Sequence, residues 1–189
     1  MLVSKRSQKL CCNKVQYKNN TREVSDMKTT NNMAISFGKP ISAPCLIPVL
    51  HASTPRCISD PFMVDGKKYK VTAISFGTPH GAVFVNDIEK VDLPLLGSSL
   101  GTHVLFPMGA SIVFIEVVDS DTVNARLWQR DKGETPYTLE AACVAATVSI
   151  MLHKIMKYSV NVVMGGKIFN VEWDRMRDMV LVEPLEKMP

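Results

Sequence analysis

The sequence predicts an α+β fold in which antiparallel strands wrap around one central buried helix. Residues 138–158 are the first reason, because their first 15 residues carry a single charge, Glu140, and apolar or small side chains on every face. A helix that is apolar all round is buried. The second reason is a series of some eight short segments with strand patterns on both sides of that helix. The third is size, since 189 residues that are 46% hydrophobic can bury a sizeable core.

The ends of the predicted helix are marked by capping residues and charges. Thr138 suits the N-cap, and Glu140 falls in the first turn, near the positive end of the helix dipole. His153, Lys154 and Lys157 gather near the other end. A membrane-spanning helix needs about 18 uninterrupted apolar residues, so this helix predicts a protein core and no membrane partner.

Residues 1–32 are predicted to be a basic, disordered tail, and residues 33–189 the folded domain. The tail has seven Lys/Arg against Glu23 and Asp26, whereas the remainder is close to neutral. Such a polar segment without periodicity buries too little apolar surface to order itself. Binding to a polyanion is the alternative for a basic tail, but Tyr17 is its only aromatic residue, so we expect no nucleic-acid partner.

The first half of the domain contains a repeated strand ending. Residues 34–40 read Ala-Ile-Ser-Phe-Gly-Lys-Pro, and residues 73–79 read Ala-Ile-Ser-Phe-Gly-Thr-Pro. These two similar segments predict two strands that end in equivalent places at one edge of a sheet. Between them, Asp65-Gly66 predicts a hairpin that joins residues 62–64 to residues 68–73.

The second half of the domain continues with alternating strand patterns. After a short strand at residues 81–85, residues 87–100 could hold one or two helical turns. Apolar residues occupy both faces of residues 112–118, which predicts a strand covered on both sides for part of its length. The remaining predicted strands are residues 123–128, 160–164, 167–173 and 179–182.

The cysteines and histidines do not form a metal or disulfide pattern. Five cysteines, irregularly spaced and without a CxxC pair, fit neither a zinc site nor a disulfide framework. Four scattered histidines make no metal motif, so we expect no metal. The N-terminus has no apolar signal segment, and together with the free thiols this predicts a cytoplasmic protein.

Three features have both a functional and a structural interpretation. His80 follows a Gly-x-Pro turn at a strand end, where it could belong to a site or be a structural histidine. Residues 130–135 form a polar loop before the helix start, where backbone N–H groups could seat an anion or simply be solvated. Cys143 lies among alanines in the helix, which favours a core thiol over a nucleophile.

Several motifs, taken in order, resemble the C-terminal half of diaminopimelate epimerase from about residue 33 to the end. They are Gly77-Thr78-Pro79-His80 before Ala82-Val83-Phe84-Val85, then Leu105-Phe106-Pro107, then Gln129-Arg130 with Gly133-Glu134-Thr135, and Gly165-Gly166 ahead of Val171-Glu172-Trp173. The resemblance implies one lobe with strands around a central helix. It also implies a partner lobe, an amino-acid substrate between the two, no cofactor or metal, and one cysteine from each lobe for proton transfer.

Carried over onto this sequence, the resemblance assigns site residues on two strand ends. His80 keeps the place of the family's supporting histidine, while Thr78 replaces a substrate-binding asparagine. Ser111 falls near the second substrate asparagine. Gln129 replaces the glutamate that assists the base, and Arg130 keeps the place of the arginine that grips a substrate carboxylate.

The helix start departs furthest from the family pattern. Thr138 stands where the resemblance places the catalytic cysteine, and a hydroxyl has a pKa far above that of a thiol. Leu139 and Glu140 replace the Gly-Thr/Ser pair that seats a substrate carboxylate, and Glu140 would repel such an anion. Cys143 matches a second, non-catalytic cysteine.

The resemblance leaves several functions open. The first is an amino-acid epimerase or racemase of lysine and cell-wall precursor biosynthesis, inactive unless another chain supplies the first lobe; Cys11-Cys12-Asn13-Lys14 does not match that lobe's Cys-Gly-Asn-Gly motif. The second is a non-catalytic lobe that pairs with another chain or forms a homo-oligomer through exposed apolar surface. The third is a dehydratase-like relative that uses a threonine, and a fragment of a decayed gene is the fourth.

Overall fold

The computed structural model describes residues 34–50 and 56–185. The predicted tail, with Cys11 and Cys12, lies outside the described residues. The described chain forms ten strands, two α-helices and a 3-10 turn at Pro44–Leu46. The helices are α1 (Leu93–Gly101) and α2 (Leu139–Met151). The strands are β1 (Ile35–Gly38), β2 (Asp60–Val64), β3 (Lys67–Ser75), β4 (Pro79–Phe84), β5 (Ser111–Val117), β6 (Thr122–Gln129), β7 (Gly133–Thr135), β8 (Ser159–Met164), β9 (Lys167–Asp174) and β10 (Met179–Leu185).

All ten strands belong to one sheet in the order β1-β10-β9-β8-β6-β5-β4-β3-β2, with β7 paired to the end of β6. Most neighbours are antiparallel, as predicted, but β4 pairs with β5 and β6 pairs with β8 in parallel. The expectation of a wholly antiparallel sheet was therefore wrong. Parallel neighbours need a crossover connection, and here α1 and α2 lie in those two connections.

Apolar side chains pack on both faces of the sheet, as strand β5 shows. Val113 and Ile115 face the cluster that contains α2, whereas Ile112 and Phe114 face the cluster that contains α1. The prediction that this strand is covered on both sides is confirmed for Ser111–Ile115, all of which are buried. The molecule is thus a mixed α and β structure with one large sheet and two helices.

Helix α2 lies in the larger cluster. Its residues from Ala141 to Ile150 are all buried, and it contacts strands β3, β4, β5, β6, β8, β9 and β10. Small side chains such as Ala142 and Ala145 let these strands approach closely. The N-terminus of α2 lies beside the β3–β4 turn, because Glu140 in its first turn accepts a hydrogen bond from Thr78.

The helix ends earlier than predicted. It stops at Met151 instead of continuing to residue 158, and no basic residue lies in its last turn. His153 adopts a left-handed conformation with φ of 53°, and the N–H groups of Lys154 and Ile155 then donate to the Ser149 carbonyl. This turn brings Ile155 into the core, where it is 1% exposed. The last carbonyls are therefore satisfied by backbone donors and not by basic side chains.

The two repeated strand endings lie next to each other. The Gly38 N–H donates to Ser36 Oγ at 3.3 Å, and the Gly77 N–H donates to Ser75 Oγ at 3.1 Å. The rings of Phe37 and Phe76 meet edge to face with centroids 6.3 Å apart. Beyond β1, Ile41 exchanges two backbone hydrogen bonds of 2.9 Å with Ser75. The chain after β1 thus joins one end of the sheet to β3 near the other end.

Candidate functional site

The start of α2 is built by Thr138. This residue is extended, with φ of −139° and ψ of 151°, and its Oγ accepts from the Ala141 N–H at 3.1 Å. Its carbonyl accepts from the Ala142 N–H. The predicted N-cap is confirmed. The hydroxyl at the position that the resemblance assigns to a catalytic thiol is therefore engaged in holding the first helical turn.

Glu140, in the same turn, reaches the β3–β4 turn. Its Oε1 accepts from both the backbone N–H of Thr78 at 3.0 Å and the Thr78 hydroxyl at 2.9 Å. Two residues predicted to bind substrate are thus brought together and bound to each other.

His80 lies next to this contact and is 3% exposed. Its Nδ1 is 3.0 Å from the Thr78 carbonyl and 3.7 Å from Glu140 Oε1. Burial lowers the pKa of His80 below its ordinary value, although the Glu140 carboxylate and the Thr78 carbonyl act in the opposite direction. We therefore assign a neutral ring whose Nδ1–H donates to the Thr78 carbonyl.

Ser111 and Arg130 lie on the neighbouring strand ends. Parallel pairing of β4 with β5 puts Ser111 opposite His80, and Ser111 Oγ accepts from the Arg130 N–H at 3.3 Å. The Arg130 guanidinium donates to the Met108 carbonyl at 2.7 Å and to Asp131 at 3.3 Å. In this structure the arginine is held by its own chain.

Gln129 and Leu139 take structural positions at the same rim. Gln129 ends β6, and its Oε1 accepts from the Thr135 hydroxyl at 3.3 Å. Leu139 is the first residue of α2, and its side chain packs against the core cluster around that helix. All eight predicted site residues therefore lie where β3, β4, β5, β6 and α2 meet, which we call the rim.

Two of the three described thiols are buried and have raised pKa values. Cys143 is buried in α2, where burial and the charge of Glu140 raise its pKa well above the ordinary value. Burial and the neighbouring Asp60 raise the pKa of Cys57 to about 12. Cys45 is exposed in the 3-10 turn. The interpretation of Cys143 as a core thiol is confirmed by its burial.

The sequence interpretation overlooked a surface groove of about 460 Å³, which Arg126 lines together with Glu89, Asn124 and Glu134. Arg126 donates to Glu134 at 2.7 Å and to the Ile88 carbonyl at 3.0 Å. The groove opens where β6 leaves β8 and pairs with β7. The alternation of polar and apolar residues in β6 marked Arg126 as outward-facing, but no local signal marks the gap between strands.

Residues 34–50 and 56–185 contain neither a metal-binding cluster nor a membrane-spanning helix. No group of three or more His, Cys, Asp or Glu side chains there could hold a metal ion. None of the helices in that part of the chain is long and apolar enough to cross a bilayer.

Comparison with known proteins adds the family. The model of the family described as Diaminopimelate epimerase matches residues 72–184. The diaminopimelate epimerase of Oceanobacillus iheyensis is 34% identical over 166 residues, which cover 87% of this chain and 58% of that protein. The Bacillus cereus enzyme of the same name is 32% identical over 153 residues, covering 80% of this chain and 53% of that protein. The chain spans little more than half the length of these relatives.

Among solved structures, a phenazine biosynthesis protein of the PhzF family from Bacillus anthracis has a TM-score of 0.49 and 14% sequence identity. The alignment covers 81% of this chain and 56% of that chain.

Proposed function

Since this chain belongs to the diaminopimelate epimerase family, we propose that residues 34–185 form one lobe of that fold, with strands around the central helix α2, and that this lobe does not move an α-proton by itself. Its relatives are named for epimerisation of diaminopimelate. The family resemblance predicted from the motifs is confirmed; the loss of independent catalysis is our proposal.

The observation that carries the proposal is the hydroxyl at the helix start. Removing a proton from carbon requires a base whose pKa is near the working pH. The Thr138 hydroxyl titrates far above that range, and its oxygen already accepts from the Ala141 N–H. A threonine in this state supports the helix and offers no base.

The nearby groups do not replace the base. Cys143 is the only thiol in α2, and its raised pKa keeps it protonated inside the core. Gln129 carries an amide where a carboxylate would assist a base. His80 has a ring nitrogen of suitable chemistry, but the side chain is 3% exposed and its Nδ1 is bound to Thr78.

A second candidate function is an assembly lobe that pairs with another chain or with a second copy. It is favoured by Val104 and Met108, which are 74% and 67% exposed in the segment before Ser111. Met108 also supplies the carbonyl that holds Arg130, so this apolar surface adjoins the rim. Contiguous exposed apolar patches mark interfaces, and this candidate function requires Val104 and Met108 to belong to such a patch. Sedimentation of the purified protein as a strict monomer at all concentrations would count against this candidate.

Proton exchange measured in heavy water tests the main proposal. We expect the purified protein, incubated with LL-diaminopimelate in D2O, to leave the α-proton NMR signal unchanged relative to buffer. Thr138→Cys, mixed with the N-terminal half of a diaminopimelate epimerase, tests whether the thiol is the missing group. Wild-type exchange above buffer that disappears in Thr138→Ala or His80→Asn, but persists in Glu172→Gln on β9, would overturn the proposal.

A further inference from the structure

We propose that Glu140 makes the rim a seat for a cationic hydrogen-bond donor, such as a primary ammonium group, and closes it to free carboxylates. The inference rests on the proposed function in one respect, namely that the rim is the part of the lobe that meets a ligand. It assigns the chemical class of that ligand and names Glu140 as the residue that sets the sign of its charge.

One carboxylate oxygen of Glu140 has no described hydrogen-bond donor. Oε1 accepts two hydrogen bonds from Thr78, which fix the carboxylate against the β3–β4 turn. No described group donates to Oε2, and this oxygen is not among the buried atoms without partners. The side chain is 23% exposed. A fixed carboxylate with one open oxygen can accept from a donor that arrives from solvent.

Few charged groups surround that carboxylate among the described residues. Within the described parts of the chain, the one ion-pair contact of Glu140 is with His80 Nδ1 at 3.7 Å. Burial lowers the pKa of His80, so this ring is neutral near pH 7. The Arg130 guanidinium is bound to Asp131 and Met108. Among residues 34–50 and 56–185, no cation pairs with the negative charge of Glu140. That charge attracts a positive ligand group and repels a negative one.

A second acceptor lies next to the same carboxylate. Because Nδ1–H of His80 donates to the Thr78 carbonyl, its Nε2 carries a lone pair. No described group donates to Nε2, and this atom is not among the buried atoms without partners, so it is open to a donor from solvent. Glu140 and His80 thus each have an acceptor atom without a described donor. Neither side chain has a free donor that could bind a carboxylate.

The Thr78 donors that an anion would need already bind Glu140. The N–H and hydroxyl of Thr78 both donate to Glu140. Replacing Glu140 by a short neutral residue releases them. The backbone N–H groups at positions 139 and 140 of the helix start, for which no acceptor is found among the described residues, then add two further donors. Glu140→Ser should therefore convert the rim from cation binding to anion binding.

Two probes of equal length and opposite charge test this inversion by backbone amide NMR of the full chain. We expect 1,5-diaminopentane to shift the amide signals of Thr78 and of the first turn of α2 saturably in the wild type, and glutarate to shift none of them. Glu140→Gln, which keeps the shape of the side chain, should weaken the diamine at least tenfold. Glu140→Ser should respond to glutarate. Glu172→Gln, which removes an exposed carboxylate on β9, should behave as the wild type.

Three results would overturn the inference: wild-type binding of glutarate as tight as that of Glu140→Ser, a diamine response unchanged in Glu140→Gln, or no response to either probe in wild type and Glu140→Ser alike. A dispersed amide spectrum of each variant shows that it is folded. These results are separable from a failure of the proposed function. If the proposed function fails, the α-proton exchanges in heavy water. If only the inference about Glu140 fails, exchange stays at the buffer rate and the binding preference for the two probes is wrong.

Discussion

Thr138 and Glu140 show how far single residues of the site could be predicted. The cap and the first-turn acid depend on residue type and local order, and both lie where the sequence put them. The bond from Thr78 to Glu140 joins residues 62 positions apart. No local pattern predicts a contact over that distance, so the sequence did not predict that Thr78 and Glu140 bind each other.

At the residue scale, His80 should make stability depend on pH. The folded protein has a His80 pKa below the ordinary 6.5, mainly because of burial, so the unfolded chain binds a proton first as the pH falls. The free energy of unfolding should then decrease below about pH 6.5, by at most about 1.4 kcal/mol per pH unit. Thermal unfolding at a series of pH values measures this slope.

The matched controls for that slope are two asparagine variants. His80→Asn keeps an amide donor for the Thr78 carbonyl and should flatten the decline towards acid. His153→Asn replaces an exposed histidine whose left-handed φ of 53° asparagine tolerates, and it should leave the slope unchanged. Equal slopes in all three proteins would contradict the assignment of a buried neutral His80.

The thiols give a second prediction at this scale. Cys45 is exposed, while the pKa of Cys57 is raised to about 12 and that of Cys143 lies well above its ordinary value. Since the thiolate is the reactive form, N-ethylmaleimide at pH 8 should label Cys45 in the native protein at least tenfold faster than the other two. Peptide mapping by mass spectrometry reads each site separately. Rapid native labelling of Cys143 would show a reactive thiol in α2 and weaken the proposed function as well.

At the scale of elements, turns were predictable where their chemistry is local. Asp65 and Gly66 adopt φ of 48° and 75°, as a two-residue hairpin turn requires. Strand β7 was taken for a polar loop, because its pairing with β6 depends on a neighbour and not on its own pattern. The end of α2 was misplaced for a similar reason: Ile155 enters the core and the helix stops before it.

Helix α1 provides a prediction about close packing. Gly97 lies against Trp128 so tightly that an added Cβ would be 2.6 Å from Trp128 Cβ and Cγ. Gly97→Ala should destabilise the protein by about 1–3 kcal/mol, despite the gain of about 1 kcal/mol in helix propensity. Ser98→Ala, at the exposed neighbouring position, should change the free energy of unfolding by less than about 0.5 kcal/mol. Urea denaturation compares the two, and equal stabilities would contradict the packing.

At the scale of the whole molecule, strand order was the part that the sequence could not predict. The positions of most strands follow from alternation and turns, but β4 and β5 show no local mark of parallel pairing. The segment between them was interpreted as one or two helical turns, which was right for α1. The role of α1 as a crossover depends on where β5 pairs in the sheet. That pairing is decided by side-chain packing on both faces of the sheet.

The contact between Ile41 and Ser75 gives a prediction at this scale. The Ile41 N–H donates to the carbonyl of Ser75, which is fully buried. Ile41→Pro removes the donor and leaves that carbonyl unpaired, which should cost about 1–3 kcal/mol. Ile41→Ala keeps the N–H, so the difference between the two variants in denaturant unfolding isolates the bond from the side chain. Equal stabilities would show that the bridge does not hold the two parts of the sheet together.

The two parallel strand pairs have a consequence for how quickly the native state is reached. The hairpins β2–β3, β5–β6 and β8–β9 join strands that follow each other along the chain, whereas β4–β5 and β6–β8 require long loops to close first. Closing a long loop costs entropy that is compensated only when the distant strands make contact. A high mean sequence separation between contacting residues therefore slows refolding. After dilution from denaturant, we expect pulse-labelled amide exchange to protect the hairpins before the crossover pairs.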